Sequence, residues 1–266
     1  MKVRWLQRPQ AGRLIGALLL LALVALMLSG CETETPQNTF AAKGEVARQQ
    51  RDIFYLAMWP AIAIMILVEG VLVVALFRFR RRSKDELPKQ VHGNTRLELA
   101  WTIAPAVLLL GLTVPMLSTL FDLGREPAAD AFVVNVTGRQ WAWFFEYPDI
   151  KDANGKPIQS TPGEVHFPAG KEIRFNIQAV DVIHSFWIPR LAGKLDAIPG
   201  EHHRMWIKAD EPGSYSGQCA EFCGVGHADM KITAIVQSQD DFDAWAKEKQ
   251  GGVKTTGGAA SPSPSP

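Results

Sequence analysis

The sequence predicts a membrane-anchored α plus all-β protein, in which a two-helix transmembrane hairpin precedes an antiparallel β-sandwich. Long apolar runs are confined to the first half of the chain, and short β-rich segments punctuated by Gly and Pro follow from about residue 130. The overall hydrophobic fraction of 47% hides this division. We expect a signal peptide over 1–30, a polar linker over 31–50, the hairpin over 51–122, the β-domain over 123–249 and a disordered tail over 250–266.

The N-terminus has the pattern of an export signal. Basic residues precede an apolar stretch over Leu14–Leu28, and this stretch leads into Leu28-Ser-Gly-Cys31. The last four residues resemble a bacterial lipobox, whose cysteine is lipidated after cleavage. Cys31 is therefore the predicted lipidation site and the first residue of the mature, lipoprotein-type chain. The alternative interpretation is an uncleaved N-terminal anchor helix.

Two further apolar runs are long enough to span a bilayer. Ile53–Phe77 contains one charged residue, Glu69, and Ala100–Phe121 contains none. Both exceed the roughly 20 residues that cross the hydrocarbon core. The loop between them is basic over Arg78–Lys84, and the positive-inside rule places such a loop in the cytoplasm. The sequence therefore predicts a bacterial plasma-membrane protein with two transmembrane helices and its β-domain on the outer side.

The outer domain is predicted to consist of short strands. Alternating, β-branched segments begin at residues 132, 164, 172, 204 and 231. Asn154-Gly155 predicts a hairpin turn. A closing helix is expected over Asp240–Lys249, with Ser238 and Asp241 in capping-box spacing at its start.

One loop decides the chemistry that the sequence predicts. It reads Cys219-Ala-Glu-Phe-Cys223-Gly-Val-Gly-His227-Ala-Asp-Met230, and His184 lies upstream in an apolar stretch. Two thiols, two imidazoles and a thioether form a soft ligand set, which suits copper better than other common protein metals. Two thiolates in one tight loop can bridge two metal ions, and each ion would then take one histidine.

Other arrangements of the same residues remain open at this point. A mononuclear blue-copper site needs one cysteine, two histidines and a weak axial methionine, and it leaves Cys219 spare. A disulfide between Cys219 and Cys223 is permitted in an exported domain, but it leaves His227 and Met230 unexplained. Zinc is disfavoured because methionine is not one of its usual ligands.

The chain as a whole resembles subunit II of cytochrome c oxidase. The copper loop from Gly217 to Met230 resembles the CuA loop of that family, and four more stretches match in family order: Glu98–Pro105, Gln140–Tyr147, Asp181–Phe186 and Lys194–Gly200. The resemblance implies a cupredoxin-like barrel with two copper ions in a dinuclear CuA centre. The implied ligands are His184, Cys219, Cys223, His227, Met230 and the backbone carbonyl of Glu221.

The resemblance also implies roles for residues other than the copper ligands. The carboxylate of Glu221 would bind a Mg or Mn ion shared with subunit I. Trp141 would be the residue through which electrons enter, and we expect it to share a strand face with Trp143. Asp181 would be a docking carboxylate. Glu98 would mark the entrance of a proton channel, the alternative being an ordinary acid at a helix start.

The implied function is to accept electrons from a cytochrome c and pass them to haem in subunit I, where oxygen reduction is coupled to proton translocation. Between residues 122 and 247 the chain has 12 Lys and Arg against 18 Asp and Glu, which favours a basic redox partner. Expected partners are subunit I, other oxidase subunits, cytochrome c and the membrane, with no nucleic acid. The alternatives are the copper subunit of a nitric oxide reductase and the copper-free subunit II of a quinol oxidase, which lacks these ligands.

Overall fold

The computed structural model describes residues 35–80 and 93–251, together with isolated helical positions between 15 and 26. Helices α1 (Glu45–Arg78) and α2 (Thr95–Leu123) precede a β-domain that helix α3 (Gln239–Gln250) closes. Most of the predicted signal peptide, the lipidation residue Cys31, the basic loop from residue 81 and the tail from residue 252 lie outside the described residues.

Both long helices are sufficiently apolar to cross a membrane, and no residue in their most apolar windows is buried. Helix α1 begins at Glu45, inside the stretch that the sequence assigned to the polar linker. The physical reason is that the first turn packs on the β-domain, where Val46 and Ala47 are buried. Burial of these two side chains favours helix over the extended linker that the local polarity suggested.

The strands form two five-stranded sheets, and both contribute to one hydrophobic core. The first sheet has the order β3-β2-β1-β5-β8 and the second β4-β10-β9-β6-β7. The strands are β1 (Phe132–Arg139), β2 (Ala142–Lys151), β3 (Pro157–Gln159), β4 (Glu164–Pro168), β5 (Ile173–Ala179), β6 (His184–Trp187), β7 (Leu195–Ala197), β8 (His203–Ile207), β9 (Gly213–Cys219) and β10 (Lys231–Gln237).

The two sheets confirm the predicted β-sandwich, although two of the strand pairings are parallel where antiparallel ones were expected. β1 runs parallel to β5, and β4 runs parallel to β10. The other pairings of the named strands are antiparallel. After β1, β2 and β3 the chain crosses to the second sheet at β4 and returns at β5, so it re-enters beside β1 in the same direction. Parallel neighbours need such a crossover, whereas a two-residue turn produces antiparallel ones.

Aromatic side chains between the sheets fix the strand that supplies the first candidate ligand. Phe186 on β6 is fully buried, and its ring centroid lies 5.5 Å from those of both Trp143 and Phe175. Burial of such a side chain contributes about 1.5–3 kcal/mol. Because His184 lies two residues before Phe186 on the same strand, core packing also fixes the backbone of His184.

The predicted hairpin turn and the predicted cap of the closing helix are confirmed. Gly155 has a φ of 77° between β2 and β3, and Asp152 Oδ1 accepts hydrogen bonds from the backbone nitrogens of Asn154 and Lys156. Ser238 is the N-cap of α3, where its hydroxyl accepts a hydrogen bond from Asp241 N at 3.2 Å. Both features depend on short-range contacts, so the sequence alone predicts them.

A clamp at residues 43–48 holds the β-domain against the start of α1. Gly44 forms an isolated antiparallel β-bridge with Ala209. Lys43 N donates a hydrogen bond to Arg190 O at 2.7 Å, and Lys43 O accepts one from Asp210 N at 3.0 Å. Arg48 forms an ion pair with Asp210. The clamp therefore combines backbone hydrogen bonds with an ion pair between α1 and the β-domain.

A second junction lies where α2 ends. The guanidinium of Arg125 forms two hydrogen bonds to Glu172, of 2.8 and 3.0 Å, and stacks 4.3 Å over the ring of Trp206. Glu172 Oε1 also accepts a hydrogen bond from Ala128 N at 2.6 Å. The hydrogen bonds from Arg125 hold the pKa of Glu172 below its ordinary value of 4.5, although partial burial opposes this shift.

We expect Glu172→Gln to lower the free energy of unfolding by about 1 kcal/mol at neutral pH, because a charge-assisted bidentate pair becomes a neutral contact. Since the folded pKa is depressed, the stabilisation is present above pH 4.5 and is lost as the pH falls through the folded pKa. The variant should therefore show a flatter acid dependence of thermal unfolding. Exposed Glu201 provides the control substitution, and equal losses in Glu201→Gln and Glu172→Gln would contradict the prediction.

Candidate metal centre

Strand pairing in the second sheet brings the candidate ligands together. His184 begins β6 and Cys219 ends β9, and these two strands are adjacent and antiparallel. Cys223, His227 and Met230 follow on the loop between β9 and β10. A hydrogen bond from Cys219 N to Met230 O, 2.9 Å long, closes this loop at its base. The fold thus brings His184 close to Cys219, although the two residues are 35 positions apart in the sequence.

Sulfur and imidazole nitrogen atoms converge inside this loop. The Sγ atoms of Cys219 and Cys223 are 3.9 Å apart. His184 Nδ1 lies 3.9 Å from Cys219 Sγ, and His227 Nδ1 lies 3.6 Å from Cys223 Sγ. Met230 Sδ is 3.8 Å from Cys223 Sγ. Each thiol therefore has one imidazole beside it, and the two thiols lie at the centre of the cluster.

The donor set fits a pair of soft metal ions. His184 is fully buried, and Cys219, Cys223 and Met230 are also buried. The sulfur–sulfur distance of 3.9 Å is nearly twice the length of a disulfide bond. Burial, together with the neighbouring Cys219 thiol, raises the pKa of Cys223 to about 12. A bound cation would favour the thiolate forms and release their protons.

His184 is held from three sides. Its Nε2 lies 2.9 Å from Asp181 Oδ1, its ring packs edge-on against Trp143 at 5.8 Å, and a Cβ on Gly138 would lie only 3.1 Å from the ring. Partial burial tends to raise the pKa of Asp181, but hydrogen bonds from Gln140 N and His184 outweigh it and hold the pKa below its ordinary range. From the family resemblance, Asp181 was expected only to dock a partner. The i,i+3 spacing of Asp181 and His184 is the sequence signal for the contact between them.

Trp141 lies over the cysteine loop, in the two-residue turn between β1 and β2. Its Nε1 donates a hydrogen bond to Cys223 O at 3.1 Å, and the residue is 40% exposed. Trp143 is fully buried, so the expectation that the two rings share a strand face is wrong. The reason is that Trp141 precedes the first residue of β2 and does not follow strand alternation. Gly226 leaves room for the ring, since a Cβ there would lie 2.6 Å from Trp141 Cγ.

Exposed apolar side chains lie in the β1–β2 turn, just before β6 and on the loop between β9 and β10; Trp141 was singled out from the sequence, and the other four were not. We call this set the apolar rim: Trp141, Val180, Ile183, Phe222 and Val225. Val225 is 91% exposed and Phe222 is 76% exposed, so two large apolar side chains of the ligand loop face the solvent. For Phe222 and Val225, the signal in the sequence was the position of large apolar residues between the candidate ligands.

The two glutamates singled out by the sequence lie far apart in the chain and have different surroundings. The carbonyl oxygen of Glu221 is 3.3 Å from Cys219 Sγ, and the residue is otherwise exposed. Glu98 lies in the first turn of α2, where its Oε1 accepts a hydrogen bond from Asn94 N at 3.1 Å. Glu221 therefore joins the cluster through its backbone, whereas Glu98 helps to cap a helix.

Comparisons with known proteins match most of the chain to one protein family. The family model for the cytochrome c oxidase subunit II periplasmic domain matches residues 132–238, and the model for its transmembrane domain matches residues 33–119. The cytochrome c oxidase subunit 2 of Alkalihalophilus pseudofirmus is 37% identical over 233 residues, which cover 85% of this chain and 66% of that protein. The Bacillus subtilis protein of the same name is 36% identical, over 87% of this chain and 67% of its own length.

Two other matches broaden this set. The quinol oxidase subunit 2 of Bacillus subtilis is 32% identical over 249 residues, which cover 90% of this chain and 74% of that protein. The solved periplasmic domain of subunit II of cytochrome oxidase from Bradyrhizobium japonicum is 34% identical and covers 47% of this chain and 97% of that structure, with a TM-score of 0.43. The chain spans about two thirds of the length of the first two relatives.

Proposed function

The chain belongs to the cytochrome c oxidase subunit II family, and on that premise we propose that it is the electron-accepting subunit of a respiratory cytochrome c oxidase. It receives electrons from a cytochrome c and delivers them to haem in subunit I, where oxygen reduction is coupled to proton translocation. The observation that carries this proposal is the convergence of two thiols, two imidazoles and a thioether in one buried loop.

The ligand cluster fits a dinuclear copper centre. When bound there, two copper ions would supply a one-electron redox couple. Pairing of β6 with β9 and the hydrogen bond that closes the base of the loop hold these ligands close together. The residues that would hold the two ions are His184, Cys219, Cys223, His227, Met230 and, through its carbonyl, Glu221.

The apolar rim fits the docking site of the electron donor. Trp141 presents a partly exposed ring at the surface, and its Nε1 bonds to the carbonyl of Cys223. This single hydrogen bond of 3.1 Å connects the surface ring to a ligand residue. A central apolar patch with a polar surround is typical of protein interfaces. The acidic balance of the domain adds steering of a basic cytochrome c.

The remaining assignments concern the contacts with subunit I and the membrane. The exposed carboxylate of Glu221 would supply one oxygen ligand to a Mg or Mn ion, and subunit I would supply others. Glu98, at the start of α2, would face the entrance of a proton channel in subunit I. The β-domain would lie on the outer side of the plasma membrane. The chain would be cleaved before Cys31, and Cys31 would be lipidated.

A quinol oxidase subunit is the second candidate, because a relative of that name is 32% identical. The complete ligand set of this chain favours the copper-containing subunit. The test is to purify the whole membrane complex, determine its copper content, and compare oxygen consumption with reduced cytochrome c and with a quinol. We expect copper in this chain and oxidation of cytochrome c. Quinol oxidation by a copper-free complex, or reduction of nitric oxide in place of oxygen, would overturn the proposal.

A further inference from the structure

Both carboxylate oxygens of Asp181 are engaged at the edge of the candidate metal centre. Oδ1 lies 2.9 Å from His184 Nε2 and accepts a hydrogen bond from Val182 N at 2.7 Å. Oδ2 accepts a hydrogen bond from Gln140 N at 2.7 Å. The side chain of Asp181 is 26% exposed, so most of its surface faces these partners and not the solvent.

The contact with Asp181 selects one tautomer of His184. A neutral imidazole carries a single N–H, and an ionised carboxylate can only accept a hydrogen bond. Nε2 must therefore carry the hydrogen, which leaves the lone pair of Nδ1 free. Nδ1 is the nitrogen that lies 3.9 Å from Cys219 Sγ, inside the ligand cluster. Carboxylate partners of this kind orient metal-binding histidines and raise their basicity.

Packing leaves the His184 ring little freedom apart from this contact. The ring is fully buried and lies edge-on to Trp143 at 5.8 Å. A single Cβ at Gly138 would already come within 3.1 Å of it. The two ring nitrogens have different contacts, Nδ1 with Cys219 Sγ and Nε2 with the Asp181 carboxylate, and the carboxylate fixes the tautomer because it can only accept a hydrogen bond.

The same carboxylate also holds the turn that carries the exposed tryptophan. Asp181 Oδ2 accepts the backbone N–H of Gln140, which immediately precedes Trp141. Gln140 Nε2 and Trp141 Nε1 both donate hydrogen bonds to Cys223 O, at 2.7 and 3.1 Å. Asp181 therefore links the ligand His184 on one side to the turn over the Cys223 carbonyl on the other.

We propose that Asp181 is a positioning residue of the metal centre: it holds His184 in the Nε2–H form, with Nδ1 directed to the metal, and fixes the Gln140–Trp141 turn over the cysteine loop. The inference rests on the proposed function, and it gives Asp181 an inward role that differs from the docking role implied by family resemblance. A docking carboxylate acts through its charge at the surface, whereas a positioning carboxylate acts through its hydrogen bonds.

Asp181→Asn tests this inference because it keeps the shape of the side chain and removes its charge. In the metal-free protein, nitrogen NMR of the His184 ring should show one Nε2–H tautomer in the wild type and a mixture in the variant. In the copper-loaded complex, the variant should bind copper about 10- to 100-fold more weakly and show a shifted reduction potential and altered hyperfine splitting. Asp229→Asn, which changes an exposed carboxylate beside Trp141, should leave all these properties unchanged.

Two outcomes would overturn the inference. One is an unchanged tautomer in the metal-free variant. The other is an unchanged copper spectrum together with a weaker ionic-strength dependence of the reaction with reduced cytochrome c, which is the signature of a docking charge. Failure of the wild-type complex to bind copper would contradict the proposed function instead, and the NMR measurement on the metal-free protein would still decide the role of Asp181.

Discussion

Replacing Cys219 by serine is expected to destroy the dinuclear copper centre. Cys219 Sγ lies 3.9 Å from both Cys223 Sγ and His184 Nδ1, so its loss leaves one thiolate and no second bridging sulfur. The copper content per chain should fall from two to one or none. The electron paramagnetic resonance spectrum should change from the seven-line pattern of an electron shared by two coppers to a four-line pattern, or disappear. Metal analysis of the purified complex gives the stoichiometry independently.

The matched control is Ala220→Ser, which adds the same hydroxyl group to the adjacent residue without removing a ligand. The backbone N–H of Ala220 bonds to Ser185 O, and a side-chain change leaves that contact in place. The control should retain two coppers and the seven-line pattern. Retention of both by Cys219→Ser would show that the thiol is not a bridging ligand, and a four-line wild-type spectrum would indicate a mononuclear site.

Removing the ring of Trp141 is expected to slow electron transfer from reduced cytochrome c by at least about tenfold, equivalent to a barrier increase of about 1.4 kcal/mol. Trp141→Ala deletes the exposed ring and its hydrogen bond to Cys223 O. The metal ligands are untouched, so the copper spectrum should remain that of the wild type. Stopped-flow measurement of the reaction with reduced cytochrome c gives the rate directly.

Two further variants separate a role in electron transfer from a role in folding. Trp141→Phe keeps an aromatic ring at the surface and should recover part of the rate. Gly226→Ala leaves Trp141 in the chain but places a Cβ 2.6 Å from its Cγ, so the ring must move and the rate should fall. An altered copper spectrum in Trp141→Ala would show that the ring supports the ligand loop structurally.

The features that the sequence predicted correctly depend on local pattern. The apolar runs, the alternation in β1, β4, β5, β8 and β10, the Gly155 turn and the Ser238 cap are each encoded within a few residues. Four of the five candidate ligand side chains are also local, because they lie within twelve residues, and their role in binding copper stays a prediction. His184 was joined to them because a copper site needs a second imidazole from a distant strand, and the family resemblance supported this, since spacing alone does not show that β6 pairs with β9.

The features that the sequence did not predict depend on contacts between distant segments. The parallel pairs β1·β5 and β4·β10 follow from where the chain crosses between sheets, and strand alternation is the same in either direction. The early start of α1 reflects burial of Val46 against the β-domain. Trp141 does not share a face with Trp143 because it lies in the turn before β2 begins. In each of these three features, contacts between distant segments determine the local structure.

The clamp at residues 43–48 determines how the whole domain can move. Backbone bonds on either side of Gly44 join the base of a membrane helix directly to two loops of the sandwich. A Cβ at Gly44 would lie 2.6 Å from Leu191 O, so the two surfaces are in direct contact there. Under the proposed function, we therefore expect the β-domain to stay against the start of α1 and not to swing on a flexible linker between its electron donor and acceptor.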